Sequence, residues 1–334
     1  MEFTIGGQLK VRITPADVGK RVSVRRVCET GPQGAKFADT VGVLTSWDDG
    51  VVSITPKSGE SVRIAESALV AGKVVPAAPA RRRGPAASFE ELAPVLARAW
   101  QPVESEPLGD WRLRAAQGFT RRANSVLPLG DPGVPLDEAL GRVVRWYGER
   151  GLPAYIQTAT GAEGTQELLC AELEERGWHR EVTAEVRTAG LAPIGDLDAD
   201  VSRVRLSRDL DERWLSRYQR FDTPGPHVLA VLRGGPSVRF ASVPGDGGED
   251  AAPAAIGRCV VDGRWAGFMA VEVDPAYRRR GIATAVMTAL ARRALEEGAS
   301  AAWLQVETDN AGARALYEDM GFAVHHLYHH FRSA

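Results

Sequence analysis

Towards its C-terminal end the chain reads Val271-Glu272-Val273-Asp274-Pro275-Ala276-Tyr277-Arg278-Arg279-Arg280-Gly281-Ile282-Ala283. A β-like run stops at Pro275, and a helical pattern begins directly after Gly281. The first turn of a helix has backbone N–H groups with no internal partner and a partial positive charge. Such an end holds a pyrophosphate. Close approach needs little side-chain bulk, which Gly281 and the small Ala283 provide, and the three arginines add charge beside it. Further on, Leu304-Gln305-Val306-Glu307-Thr308-Asp309-Asn310 leads from a strand into a helix that Gly321 ends. Tyr317 lies seven residues after Asn310. That is about two helical turns, so both share a face.

These two stretches resemble the GNAT (GCN5-related) N-acetyltransferases. The first is similar to that family's coenzyme-A loop, Arg/Gln-x-x-Gly-x-Gly/Ala after a strand ending Val-x-Pro. The second is similar to its strand, Asn, and helix carrying Ala-x-x-Leu-Tyr-x-x-x-Gly-Phe, here Ala313 to Phe322. The match covers residues 200–334 and keeps the family's order. It implies a mixed α/β acyl-CoA N-acyltransferase fold, acetyl-CoA as cosubstrate, and an acceptor amine that attacks the thioester directly. It also implies roles. The backbone of Val271 and Val273 would pair with the pantetheine arm. Arg278, Arg279, Arg280, Gly281, Ile282 and Ala283 would cradle the pyrophosphate. Asn310 would contact the cofactor, and Tyr317 would protonate the leaving thiolate, whose pKa is about 8.5.

One position departs from the pattern. Gln305 stands where members that acetylate protein N-termini often carry a glutamate base. A lysine-like amine is neutral in only about one part in 2500 at pH 7, so its proton must go elsewhere. Glu307, two residues on and hence on the same strand face, is one candidate base. Glu272 is a second, and a chain of waters a third.

The elements that must position these residues read as a mixed sheet. A strand at 202–206, a helix at 209–220 and a strand at 238–243 precede two strands, 256–261 and 265–273, that flank the hairpin pair Asp262-Gly263. A helix at 282–297, a strand at 301–307 and a helix at 310–320 follow. The tail from Val324 to Phe331 holds four histidines, yet alternation reads it as a final strand, with no metal expected. One imidazole there could shuttle protons.

Upstream, Ser88 and Glu91 form a capping box for a helix at 89–100. Strand-like runs at 111–114 and 122–127, a helix at 136–150, a strand at 154–157 and a helix at 165–176 complete a middle region. Ala171 to Trp178 aligns with Ala315 to Phe322, with Leu173 in place of Tyr317, and Ile156-Gln157 parallels Leu304-Gln305. No Arg-x-x-Gly-x-Ala loop lies between Leu127 and Leu136. The middle region thus reads as a degenerate GNAT-like repeat, for which the tandem mycothiol synthases offer an analogy.

Before it, short alternating runs and the Asp49-Gly50 turn suggest a small all-β domain, resembling the SH3-like barrels attached to some actinobacterial acetyltransferases. A Pro/Ala/Arg stretch joins the two. The expected domains are therefore residues 1–75, a linker at 76–88, a degenerate domain at 89–195 and a catalytic domain at 196–334.

Composition fits this plan: 334 residues, 44% hydrophobic, 25% charged, net charge −2. That balance argues against charge-driven nucleic-acid binding. There is no apolar run long enough for a membrane helix and no signal-peptide pattern. Cys28, Cys170 and Cys259 are too few and scattered for disulfides or zinc, which points to a reducing cytoplasm. Besides the enzyme, one other class fits: an acyl-CoA-binding regulatory protein whose barrel docks a macromolecule. The sequence identifies neither the acceptor amine nor the oligomeric state.

Overall fold

The computed structural model describes residues 10–31, 34–76, 85–218, 224–247 and 251–334. In chain order the first elements are β1 (Arg21–Gly31), β2 (Gly34–Asp48), β3 (Val51–Pro56), β4 (Val62–Ala65), β5 (Leu69–Val74), α1 (Phe89–Arg98), β6 (Glu104–Leu108), β7 (Trp111–Ala115), β8 (Leu127–Pro128) and α2 (Leu136–Gly148). Next come β9 (Tyr155–Thr160), α3 (Glu167–Glu175), β10 (His179–Gly190), α4 (Leu191–Gly195), β11 (Arg205–Ser207), α5 (Glu212–Arg217) and α6 (Pro226–Arg233). The last are β12 (Ser237–Val243), β13 (Ala255–Asp262), β14 (Trp265–Val273), α7 (Ile282–Glu296), β15 (Ala301–Glu307), α8 (Ala311–Asp319) and β16 (Ala323–Arg332). The basic run at 81–83 lies outside the described residues.

The chain forms two compact units. One holds Met1–Ala80 with Thr158–His179, the other Arg81–Gln157 with Arg180–Ser333. In the first, five strands pair in the order β4-β3-β2-β1-β5, antiparallel where their registers are given. Asp49 and Gly50 both take positive φ between β2 and β3, the hairpin geometry that Asp-Gly favours. Val22, Val24, Leu44, Val52, Ile54 and Ile64 fill its core. This is a small antiparallel β domain.

The second unit is built on a sheet ordered β11-β12-β13-β14-β15-β10-β16-β9. β14 and β15 run parallel, joined by the crossover helix α7. Alternation sends residues to opposite faces. Phe240, Ile256, Val260, Trp265 and Trp303 bury one face against α1, α5 and α6. Ala241, Cys259, Val261, Phe268 and Leu304 bury the other against α4, α7 and the half-buried side of α8. Arg258 is fully buried and donates to Ala99 O, Leu232 O and Gly234 O, at or just past the ends of α1 and α6. Those terminal carbonyls lack helical partners, so one guanidinium satisfies both helices.

Gly267 sits directly opposite Trp303 in the parallel pair. A Cβ there would lie 2.2 Å from Trp303 Cζ2. Gly267→Ala is therefore expected to cost about 1–3 kcal/mol of stability through overpacking. Denaturant unfolding checks this; an unchanged midpoint would show that Trp303 can withdraw.

β9-α3-β10 and β15-α8-β16 repeat one element order, and Gly177 and Gly321 end the two helices at positive φ. β10 lies beside β15, and β16 beside β9. One sheet thus runs across the sequence boundary at residue 195. Three expectations change. The strand expected at 202–206 is the short β11, Arg205–Ser207. The run 122–127 is not a strand: a 3-10 turn over Arg121–Ala123 leads to the two-residue β8. The helix expected over 209–220 spans only Glu212–Arg217, capped by Asp211; residues 219–220 lie outside the described residues.

Candidate active site

β14 and β15 pair only from Trp265↔Ala301 to Phe268↔Leu304. Beyond that point β14 stays with β13, Glu272 opposite Ile256 and Val273 opposite Ala255. β15 stays with β10, Gln305 opposite Val186 and Glu307 opposite Ala184. Between the two halves of β14 its register on β13 shifts, and Ala270 adopts a positive φ of 51°. A bulge of this kind bends a strand and ends its pairing. The sheet therefore splits, and the facing edges of β14 and β15 line a cleft of about 270 Å³. Val271, Glu272, Gln305, Glu307, Asn310 and Tyr317 all line it.

At the outer end of β14, Asp274 accepts a hydrogen bond from the Ala276 N–H at 2.8 Å and starts a short 3-10 turn, Pro275–Tyr277. Arg279 and Gly281 both have positive φ, 64° and 72°. Gly281 is the N-cap of α7 and offers no side-chain cap, and nothing lies within 4 Å of where its Cβ would be. The helix start is thus open to an incoming anion. A second cavity of about 470 Å³ adjoins it, lined in part by Arg203, Tyr277, Arg280, Gly281 and Ile282. Arg280 stacks over the Tyr277 ring at 5.3 Å. Arg278 and Arg279 are exposed, and with Val273 and Ala283 they fall outside the lining of both cavities. Arg278 Nε donates to Val273 O at 3.2 Å, which ties the loop to the strand end.

Asn310 Oδ1 caps α8, accepting from the Ala313 N–H at 3.1 Å. Its amide NH2 is what remains to donate to a ligand. Tyr317 packs edge-on against Phe322, ring centroids 6.0 Å apart. Burial pushes its phenol up to about 12, so it keeps its proton at neutral pH. Gln305 Oε1 is buried without a partner. Glu272 and Glu307 are half-buried in the cleft walls.

What holds α8 in place comes from β10, a strand the sequence reading passed over. Glu185 accepts from Arg187 Nε at 2.6 Å and from Arg314 Nη2 at 2.9 Å. Arg187 Nη1 donates to Arg314 O at 3.2 Å, and Arg314 Nη1 to Thr308 O at 3.0 Å. Glu185 and Arg187 are both buried. Glu185→Ala would leave two guanidiniums without their carboxylate. It is expected to cost about 3–5 kcal/mol and to lower turnover by loosening the Tyr317 helix. Thermal unfolding measured beside kcat tests this; full stability in the variant would remove the clamp.

The rest of the cleft comes from the loop after β7. Asn124 organises it: its Oδ1 accepts from the Ala116 and Gly118 N–H groups, and its Nδ2 donates to Phe119 O and Thr120 O. This four-bonded amide is why the strand expected at 122–127 does not form. Gln117 and Thr120 are held at positive φ, a strain of about 1 kcal/mol or more each. The loop delivers Phe119, Thr120, Arg121 and Arg122 to the cleft, joined by Trp100, Tyr328 and His330. Burial, then the positive charges of Arg122, Arg114 and Arg121, hold the His330 imidazole well below its ordinary pKa. Among the described residues no group of three or more His, Cys, Asp or Glu side chains could hold a metal.

A family model described as "Probable histone acetyltransferase Rv0428c C-terminal" matches residues 87–331. The chain belongs to this family. It is similar along 92% of its length to the "Probable histone acetyltransferase Rv0428c" of Mycobacterium tuberculosis, 27% identical and covering 93% of that protein. A 52-residue stretch is 40% identical to the ribosomal protein bS18-alanine N-acetyltransferase of Escherichia coli K12, 35% of that protein and 16% of this chain. A GCN5-related N-acetyltransferase from Kribbella flavida shares the fold, with TM-score 0.54 and 14% identity over 74% of this chain and 96% of that one. The split sheet, crossover helix and Asn-to-Tyr helix thus sit in a GNAT-type acetyltransferase. No helix among the described residues is long and apolar enough to cross a membrane.

Proposed function

We propose that the chain transfers an acetyl group from acetyl-CoA to an acceptor amine within one ternary complex. The observation that carries this reading is the split between β14 and β15, which opens beside Tyr317 and continues toward the uncapped start of α7. The backbone of Val271 and Val273, on the edge of β14 that β15 leaves, would hold the pantetheine arm, Val273 O being shared with Arg278 Nε. The N-terminus of α7 from Gly281, with Ile282 and Ala283, would take the pyrophosphate, and Arg278, Arg279 and Arg280 would add charge around it. Asn310 would donate to the cofactor from its amide nitrogen.

The amine nitrogen attacks the thioester carbonyl carbon and the C–S bond breaks. Tyr317 gives its hydroxyl proton to the departing sulfur. The amine's proton passes to Glu307 or Glu272, directly or through water, because Gln305 cannot accept it. The test is thiol release with acetyl-CoA across a panel of amines, with products identified by mass. Amine-dependent release supports the reading, and its absence across small amines, peptides and protein N-termini overturns it.

The division into a small β domain, a degenerate repeat and a catalytic region is part of the same proposal. It predicts one acetyl-CoA per chain, since only the third region carries the loop at Gly281. Calorimetric titration reads this directly, and a stoichiometry of two would refute it.

A further inference from the structure

The cleft carries a cation, Arg122, that no carboxylate among the described residues neutralises. Arg122 Nε is buried without a partner. Its guanidinium lies 5.6 Å from the Trp100 ring centroid and 5.7 Å from that of Tyr328. It shares a hydrogen bond with the Tyr328 hydroxyl, but among the described residues no carboxylate pairs with it. Its neighbour Arg121 differs, being bound to Glu181 at 3.0 Å. Beside Arg122, His330 is 2% exposed and neither ring nitrogen has a partner. Tyr328 feels both the positive charge of Arg122 and the negative charge of Glu307, so the two flank it within one cleft.

A buried polar group left unpaired costs about 1–3 kcal/mol, more when charged. Such a group in a cleft is complementary to something that enters it. The aromatic rings hold the guanidinium from its sides, and its planar fork matches a carboxylate bidentately. The two carboxylates of the cleft, Glu272 and Glu307, suit the ammonium form of the incoming amine. Resting on the transfer reading above, we infer that the acceptor is a small molecule that carries a carboxylate as well as its amine and that Arg122 binds the carboxylate. His330 adds one neutral donor or acceptor to the same subsite. A lysine-rich peptide brings further cations toward Arg122 and is the poorer acceptor.

The test compares γ-aminobutyrate and ε-aminocaproate with their amides, pairs in which amine basicity is nearly constant. The wild-type protein is expected to favour the carboxylates by about tenfold or more in kcat/KM, the range of a charge-assisted hydrogen bond. Arg122→Gln should bring that ratio close to unity, mainly through KM. Arg122→Lys, which keeps the charge and loses the fork, should fall between. Acetyl-CoA affinity and thermal unfolding check that the variants fold. Equal use of acid and amide by the wild type would overturn the inference. So would a ratio that survives Arg122→Gln, or preference for a lysine-rich peptide. If no amine is acetylated, the transfer reading fails separately. Calorimetry of the same pairs in the presence of coenzyme A then decides the subsite, and equal binding of acid and amide would overturn it.

Discussion

Tyr317→Phe is expected to lower kcat on the order of 10²-fold or more, the usual range for loss of a general acid, while folding and acetyl-CoA affinity are kept. The ring stays against Phe322, and among the described residues the hydroxyl makes no hydrogen bond that its loss would break. Only the proton is removed. The parent enzyme makes a second, linked expectation. Because burial raises the phenol to about 12, the acid form persists through pH 10, where an ordinary tyrosine is half ionised. The kcat profile should therefore show no falling limb near pH 10 from this group. Steady-state rates across pH, with thiol release as the readout, test both points. Equal losses in binding and turnover would make Tyr317 structural. An unchanged kcat would mean that another group protonates the thiolate or that chemistry is not limiting.

Gly281→Glu is expected to weaken acetyl-CoA binding by well over tenfold. The site of substitution is open, with nothing within 4 Å of the added Cβ, so the side chain has no clash through which to unfold the protein. The left-handed φ of 72° costs a non-glycine residue roughly 1–2 kcal/mol. That strain is shared by Gly281→Ala, which serves as the control. The alanine variant should lose a little stability and keep most of its affinity. The glutamate adds a negative charge at the end of α7 that would receive a pyrophosphate, and like charges there oppose binding. Calorimetry separates the two. Equal affinity for both variants in folded protein would take this loop out of the cofactor site.

Features that depend on near neighbours along the chain are legible in its residues alone. Pro275 stops β14, Gly281 starts α7 in a conformation that glycine adopts freely, and Asp262-Gly263 turns one strand into the next. Asn310 and Tyr317 are spaced to share a face because a helix has a fixed period. The family resemblance rests on those same local signals, and so does the fold class of the third region.

Features that depend on distant partners emerge only when the chain is folded. β10 enters the sheet between β15 and β16, and no local pattern announces which strand edge it will meet. Glu185 and Arg187 are buried together, and Arg314, well over a hundred residues on, completes their network. The bulge at Ala270 opens the cleft only because β13 and β10 draw β14 and β15 apart. The run 122–127 has strand-like residues, but a local propensity of a few tenths of a kcal/mol per residue cannot compete with the four hydrogen bonds of Asn124. That loop brings Arg122 and its unpaired charge to the cleft, where it meets Trp100, just past α1, and Tyr328 and His330 from β16. Side chains with ordinary sequence surroundings become a binding surface only when long-range packing removes water and leaves their polar groups unsatisfied.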